Sequence, residues 1–317
     1  AARFLMQATF GPTEASINDL VDSGYSRWFR SQIEADAGIA NVDKMRTIQA
    51  EFAARGESAN ADALADLVWT DMIEGQDQLR QRMSFALSQV LVVSYATTEV
   101  AETESAVAFY MDVLDRNAFG NYRTLLEDVT YSPSMAQFLT YLNNRKEDQS
   151  INRVPDENYA RELMQLFTIG LVELNQDGTP RLNANGQPVE TYDNGDITGL
   201  AKVFTGLSWN DGRFGGTFPS NDAPVAAYSP LAIFPEEHSA SEKSFLNVTI
   251  PANTDAATSI DLALAALFMH DNAAPFIARQ LIQRFVTSNP SPAYVSNVAA
   301  AFQTGWFRLP DGSTVGS

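Results

Sequence analysis

The chain has 317 residues, 45% of them hydrophobic and 19% charged, which is typical of a folded globular protein. Its 39 acidic and 21 basic residues give a formal charge of −18, and such a field disfavours nucleic acid and anionic membranes as partners. The absence of cysteine excludes disulfides, thiolate metal sites and cysteine nucleophiles.

The first part of the chain has apolar residues at three- and four-residue spacing, which predicts helices. Residues 1–35 contain two short ones, and residues 36–60 are polar enough to be a surface helix or a mobile excursion. The segment Asp77–Val93 is apolar on nearly all sides from Met83 onward, so we expect it at the centre of the fold. Further helices are predicted at Ala61–Ile73, Thr103–Leu114 and Tyr122–Val129, and from Ser134 to Leu142.

The segment Pro155–Leu171, PDENYARELMQLFTIGL, is predicted to be one helix with both ends marked. Pro155 suits the first helical turn, and Gly170 can adopt the left-handed conformation that ends a helix. One face is apolar, and the opposite face carries two neighbouring polar rows at four-residue spacing. These rows are Glu157, Arg161 and Gln165, and Asn158 and Glu162.

After Gly170 the hydrophobic pattern changes to period two, which predicts an antiparallel β-meander at about 171–192. Its turns are Asp177-Gly178 and Asn185-Gly186, both typical of hairpins. A helix over Ile197–Leu207, a long loop at about 208–256 and three C-terminal helices follow. The fold class is therefore mainly α: one large irregular multi-helix domain over 1–317, truncated at both ends, with a β-hairpin insertion at 171–192.

The polar face of Pro155–Leu171 is the first candidate site. Two carboxylates beside an arginine, Glu157 and Glu162 with Arg161, can hold a divalent cation or serve as acid and base. The alternative is a polar helix face that ties loops together through ion pairs, and the sequence favours this structural role. Burial of the side chains distinguishes the two interpretations.

The two histidines lie in different settings. His238 is in the long loop, near Glu237 and Glu242, with Lys243 five residues on, and such a histidine can be an acid, a base or a metal ligand. His270 follows a predicted helix, where it is expected to complement the helix C-terminus. No HExxH or HxH pattern is present, and no metal ligand is predicted.

Arginines occur on otherwise apolar helices, and they are expected to close ion pairs with carboxylates such as Glu157 or Glu162. The alternative is a local pocket for a carboxylate or phosphate group, to which Arg279 would contribute. The set is Arg80, Arg82, Arg279 and Arg284. The sequence has no haem, nucleotide or zinc signature, and Asn175-x-Asp177-x-Thr179 fails the EF-hand pattern at Pro180 and Gly186. The sequence contains no run of about eighteen apolar residues, so no membrane span is predicted.

Six stretches together resemble the bacterial family catalogued as domain of unknown function 1800. They are RFLMQATFGPT (3–13), DQLRQRMSFALSQVLVVS (77–94), RNAFGNYRTLLEDVT (116–130), PDENYARELMQLFTIGL (155–171), ITGLAKVFTGLSW (197–209) and FIARQLIQRFVTSNPSPAYV (276–295). The resemblance implies a mainly helical, extracytoplasmic protein, and a protein partner related to sulfatase-like phosphatases. It implies no established activity.

The family resemblance also bears on the loop histidine, which in family members is usually followed by a lysine, as His238 is by Lys243. Glu237 and Ser239 stand where a family member often has a second histidine and an acid, and this departure argues against a histidine metal site.

Two function classes follow from these observations. The first is a periplasmic or secreted protein with a binding or assembly role in the cell envelope. The second is a secreted hydrolase in which Glu157, Glu162 and His238 are the acid and base candidates. In the hydrolase, Arg161, Arg279 and Lys243 would bind an anionic group of the substrate. This enzyme hypothesis requires that His238 and the polar face of Pro155–Leu171 line a single pocket.

Overall fold

The computed structural model describes residues 1–94, 104–220, 222, 224–309 and 311–316, and in them the chain is mainly helical, as predicted. Its helices are α1 (Ala2–Ala8), α2 (Glu14–Ser23), α3 (Tyr25–Ile33), α4 (Asn41–Ala54), α5 (Ala61–Glu74), α6 (Gln78–Ser88), α7 (Glu104–Asn117), α8 (Tyr122–Thr130), α9 (Pro133–Phe138), α10 (Asn158–Glu162), α11 (Asn194–Ala201), α12 (Ala256–Met269), α13 (Ala273–Phe285) and α14 (Pro292–Thr304). The start of one predicted helix, Thr103, lies outside the described residues.

Three short antiparallel strand pairs accompany the helices. They are β1 (Leu207–Ser208) with β2 (Ala232–Ile233), β3 (Lys243–Phe245) with β4 (Val248–Ile250), and β5 (Trp306–Arg308) with β6 (Thr314–Gly316). Strands β2, β3 and β4 lie in the long loop predicted at about 208–256, and β1 ends at its first residue, so this loop contains short ordered pieces.

The largest group of packed apolar side chains is built around α7, which contacts α4, α6 and α8. Sequence-encoded caps set where the helices begin, because a side-chain oxygen accepts one of the first free N–H groups. Thr13 and Asp193 form capping boxes, and Asn60, Asn121, Asp255 and Ser291 cap α5, α8, α12 and α14. The polar stretch 36–60 contains a helix, α4, whose Met45 is fully buried.

The predicted single helix over Pro155–Leu171 is wrong in two respects. Pro155 precedes the helix, because Asp156 N–H donates to Asn144 Oδ1 at 2.9 Å and the Asp156 carboxylate accepts from Asn158 N–H at 2.8 Å. The helix therefore begins at Asn158. From Leu163 to Thr168 it continues as a π-helix.

The π-helical turn ends where the sequence predicts a stop. The Thr168 hydroxyl donates to Leu163 C=O, five residues back, at 2.6 Å, and Ile169 N–H donates to Met164 C=O at 3.0 Å. Gly170 follows with a φ of 72°, and a Cβ there would lie 2.7 Å from the ring of Phe276. A glycine is required by both the backbone conformation and the close approach.

The predicted β-meander is present as three arms joined by single bridges, Val172 to Glu190, Leu174 to Pro180 and Leu182 to Pro188. Both predicted hairpin turns occur, with Gly178 at φ 77° and Gly186 at φ 76°.

Asn272, between α12 and α13, fixes the base of this meander. Its amide donates to Ile169 C=O at 2.9 Å and Val172 C=O at 2.7 Å, and its oxygen accepts from Leu174 N–H at 2.8 Å. Within the described residues no single helix is long and apolar enough to cross a membrane. Helices α12 and α13 meet that criterion only as a pair, and they are bent by 73° at their junction.

Candidate functional site

His238 follows a 3₁₀ turn, Pro235–Glu237, and is 6% exposed. Its Nδ1 lies 3.0 Å from Thr205 C=O and 3.2 Å from the Thr205 hydroxyl. That hydroxyl donates to Lys202 C=O at 2.8 Å and accepts from Ser239 N–H at 2.8 Å, so its own hydrogen is already committed. Nδ1 must therefore carry the imidazole hydrogen in the neutral ring.

This tautomer leaves a lone pair on Nε2, which has no hydrogen-bond partner among the described residues. Burial lowers the pKa of His238, although its bond to the Thr205 carbonyl opposes the shift, so the ring is neutral at pH 7. His238 borders a cavity of about 340 Å³ that reaches the first turn of α12. The cavity is lined by residues 233, 235, 238–240 and 253–257.

Glu147 supports the chain on the other side of His238. The segment 143–147 is held by backbone bonds from Asn143 N–H to Leu207 C=O and from Lys146 N–H to Glu237 C=O, both 2.9 Å. This places the Glu147 carboxylate to accept the hydroxyls of Ser239, at 2.9 Å, and Ser241. Burial alone would raise the pKa of Glu147, but these hydroxyls and the charge of Lys202 bring it below its usual value.

Lys243, on β3, is fully buried. Its ammonium donates to Ser239 C=O at 2.9 Å and Ser241 C=O at 3.3 Å, and burial lowers its pKa. Lysine is almost never fully buried unless its charge is answered, and here the carbonyls of one loop answer it. The structure thus brings His238 and Lys243 together, and Lys243 holds the loop that presents His238.

The polar face of α10 lies outside the lining of the His238 cavity. Arg161 and Glu157 are 3.6 Å apart, and their side chains are 41% and 39% exposed. Glu157 also accepts the Thr198 hydroxyl at 2.8 Å, and Gln165 accepts from Tyr192 at 3.3 Å. Burial raises the pKa of Glu162, and the nearby charge of Arg161 opposes this.

The half-exposed face is thus tied to neighbouring elements, as the structural interpretation expects. The geometry gives no support to a mechanism that uses Glu157, Glu162 and His238 in one cavity.

The arginines of the core helices have different partners. Arg80 pairs with Asp77 at 3.5 Å, as an ion pair was expected to form. Arg82 makes no ion pair within the part of the chain described; it lies over the rings of Phe10, Phe85 and Phe285 at 5.1, 5.7 and 5.6 Å. Its guanidinium faces these aromatic π-clouds and also donates to Gln7 C=O at 3.4 Å and Arg284 C=O at 3.5 Å. Arg279 is exposed on α13.

His270 lies at the C-cap of α12, where the sequence places it, but not as a cation. Its Nδ1 accepts from Asn272 N–H at 3.1 Å, and burial lowers its pKa. Since Nδ1 is an acceptor, Nε2 carries the hydrogen, and the tautomer is opposite to that of His238.

The sequence analysis missed a cavity of about 690 Å³ between α4, α6 and α7. Asp112 accepts Asn41 N–H at 2.6 Å, and Asp115 accepts the Asn41 side-chain amide at 3.0 Å. Burial, together with the charges of Asp112 and Asp77, raises the pKa of Asp115 to about 6, opposed by the hydrogen bond from Asn41. Asp112 and Asp115 stand at i and i+3 on a helix with apolar neighbours, and this spacing is the one sequence signal that could have identified them.

Neither the polar face of α10 nor the cavity that contains Asp112 and Asp115 has the geometry of a metal centre. Among the residues that the structure describes, no three histidine, aspartate or glutamate side chains converge as a bound metal ion requires. In the polar face of α10 the expected position for a divalent cation, beside Glu157, is taken by the Arg161 guanidinium.

Comparison with known proteins gives one match. A family model described as "Protein of unknown function (DUF1800)" matches residues 3–311. No curated protein and no solved structure matches the chain.

Proposed function

The chain belongs to the DUF1800 family, and from that premise we propose that it is an exported bacterial protein that binds a small polar ligand of the cell envelope in the cavity beside His238. The observation that carries the proposal is the fixed tautomer of a buried histidine whose second nitrogen is a buried acceptor without a partner among the described residues. An unanswered buried acceptor costs about 1–3 kcal/mol, so a donor group at this position is favoured.

The lining indicates the chemistry of the ligand. A volume of about 340 Å³ is at the small end of ligand cavities, so the group that enters is the size of one sugar ring or a short amide. Asp255 is the charged side chain of this lining. The Lys243 ammonium lowers the pKa of His238 while the Asp255 and Glu147 carboxylates raise it, so the nearby charges oppose one another and favour a neutral ligand. A neutral ligand that presents a hydroxyl or amide hydrogen to Nε2 fits best.

Ligand-observed NMR with a set of neutral mono- and disaccharides and small amides tests this proposal. His238→Asn is the sharpest variant, because an asparagine amide can keep the donor to Thr205 while removing Nε2. Binding to the wild type that is lost in His238→Asn and kept in His270→Asn, the control at the other histidine, is the expected result. Binding by none of these compounds, or equal binding by all three proteins, counts against it.

A hydrolase is the second candidate, and the same tautomer favours it. A neutral imidazole whose Nδ1–H is held by a carbonyl is the arrangement of a general base, and Nε2 would take a proton from water. Glu157, Glu162, Arg161 and Arg279 would act only if substrate extends beyond the cavity. Hydrolysis of chromogenic esters or phosphates that rises through a pKa below 6.5 and is lost in His238→Asn would support this function; equal loss in Glu157→Gln would instead support the wider site.

We also propose that the protein is exported and that it has a protein partner. The family resemblance supports a periplasmic or secreted location, and a protein partner of the sulfatase-like family. Fractionation of cells that carry the full-length gene, with a periplasmic and a cytoplasmic marker, tests the location. Co-purification of the tagged protein with a protein of the sulfatase-like family tests the partnership, and recovery of the tagged protein alone counts against it.

A further inference from the structure

A groove of about 870 Å³ runs between α4 and α5. The two helices are antiparallel, because Lys44 near the start of α4 pairs with Asp71 near the end of α5 at 2.6 Å. Each helix turns two rows of side chains into the groove at four-residue spacing, one exposed and one half-buried or buried. The exposed rows are Asp43, Thr47 and Glu51, and Asp62, Asp66 and Thr70.

The inner rows give the groove an apolar floor. Ile48 and Leu67 belong to a small packed cluster around Met45, and Phe52 is half-buried beside them. Ile39, which also lines the groove, is 66% exposed. An apolar floor between two helices is open here along about nine residues of α4, or about 13 Å.

Four of the six exposed residues on the rim of this groove are acidic. Two ion pairs involve residues of the groove: Lys44 pairs with Asp71, and Asp43 pairs with Arg46 at 3.6 Å. Glu51, Asp62 and Asp66 have no cationic partner within the described segments. Exposed carboxylates on both sides of an apolar floor complement a ligand that is apolar on one face and cationic at its edges.

We propose that this groove binds a basic amphipathic helix of a partner protein. The occupant lies along α4 and α5 as a third helix, with Leu-type side chains on the floor and Lys or Arg side chains against the two acidic rows. This is the helix-in-groove mode of recognition, in which apolar residues at i, i+3, i+4 and i+7 are the anchors. The shape of the groove indicates that the occupant is a helix, and the acidic rows indicate that the edges of this helix are basic.

The probe is a fluorescein-labelled peptide of about eighteen residues with leucine and lysine at helical spacing; its counterpart carries glutamate for lysine. Fluorescence anisotropy at low salt is expected to show binding of the lysine peptide alone. The triple variant Glu51→Gln, Asp62→Asn, Asp66→Asn is expected to weaken binding about tenfold, since each exposed ion pair contributes little by itself.

The matched control neutralises three exposed carboxylates of α2, Glu14→Gln, Asp19→Asn and Asp22→Asn, and so makes the same change in net charge. It is expected to change affinity less than about twofold. A second groove variant, Thr47→Lys with Thr70→Lys, keeps every carboxylate and is expected to weaken binding as well.

Phe52→Ala tests the apolar floor and should also weaken the complex. Equal weakening in the α2 control, equal binding of the glutamate peptide, or full binding by Phe52→Ala overturns the proposal. Equal weakening in the α2 control would mean that the charge of the whole molecule attracts the peptide. Equal binding of the glutamate peptide would mean that charge plays no part in binding.

Discussion

The raised pKa of Asp115 makes the stability of this protein depend on pH, and Asp115→Asn removes that dependence. In the folded state burial and the charges of Asp112 and Asp77 raise the pKa from 3.8 to about 6. Between these values the folded state holds more protons than the unfolded state, so stability falls as pH rises. The penalty is absent below the unfolded pKa and complete above the folded pKa.

The shift of Asp115 corresponds to about 3 kcal/mol of destabilisation at neutral pH, of which roughly half is already present at pH 5. Asparagine keeps an oxygen for Asn41 and carries no charge. We therefore expect the free energy of unfolding of Asp115→Asn, minus that of the wild type, to grow by about 1.5 kcal/mol from pH 5 to pH 8. Urea unfolding followed by tryptophan fluorescence measures it, and Asp19→Asn is the control for net charge. Profiles that run parallel for Asp115→Asn and the wild type would refute the reasoning.

Three further outcomes follow from local contacts. Nitrogen-15 NMR of the two imidazoles should show opposite tautomers, with the hydrogen on Nδ1 in His238 and on Nε2 in His270. Both histidines should titrate below 6.5. A shared tautomer would contradict the hydrogen bonds assigned to them. Gly199→Ala should destabilise the fold by about 3 kcal/mol or more, since the new Cβ would lie 1.8 Å from a backbone oxygen of β3, and a melting temperature within a degree of the wild type would contradict this. Asn272→Ala should speed hydrogen exchange at the Leu174 amide by about tenfold or more, because it removes that amide's acceptor, and unchanged exchange would show that the meander is held by other contacts.

The sequence predicted those features that depend on near neighbours in the chain. The hairpin turns at Gly178 and Gly186 and the stop at Gly170 each depend on a few consecutive residues, and they occur where expected. The mainly helical fold follows from the same local patterns.

The features that were missed depend on residues distant in the chain. Nothing near His238 indicates that Thr205 would fix its tautomer, or that Glu147, 92 residues before Ser239, would hold the adjacent hydroxyl. The π-helix at Leu163–Thr168 was missed because its residues have the spacing of an ordinary α-helix. Arg82 was assigned a carboxylate because local pattern cannot show that three aromatic rings surround it.

The widened turn at Leu163–Thr168 decides in which direction the chain leaves the core. Each residue of an α-helix advances the chain by about 100° around its axis, so one residue more or fewer before Gly170 turns the exit by more than a quarter circle. Gly170 would then face away from Phe276, and the meander beyond it would emerge out of reach of the Asn272 amide. A one-residue deletion inside this segment would therefore spare the helix itself and misdirect everything attached to its end.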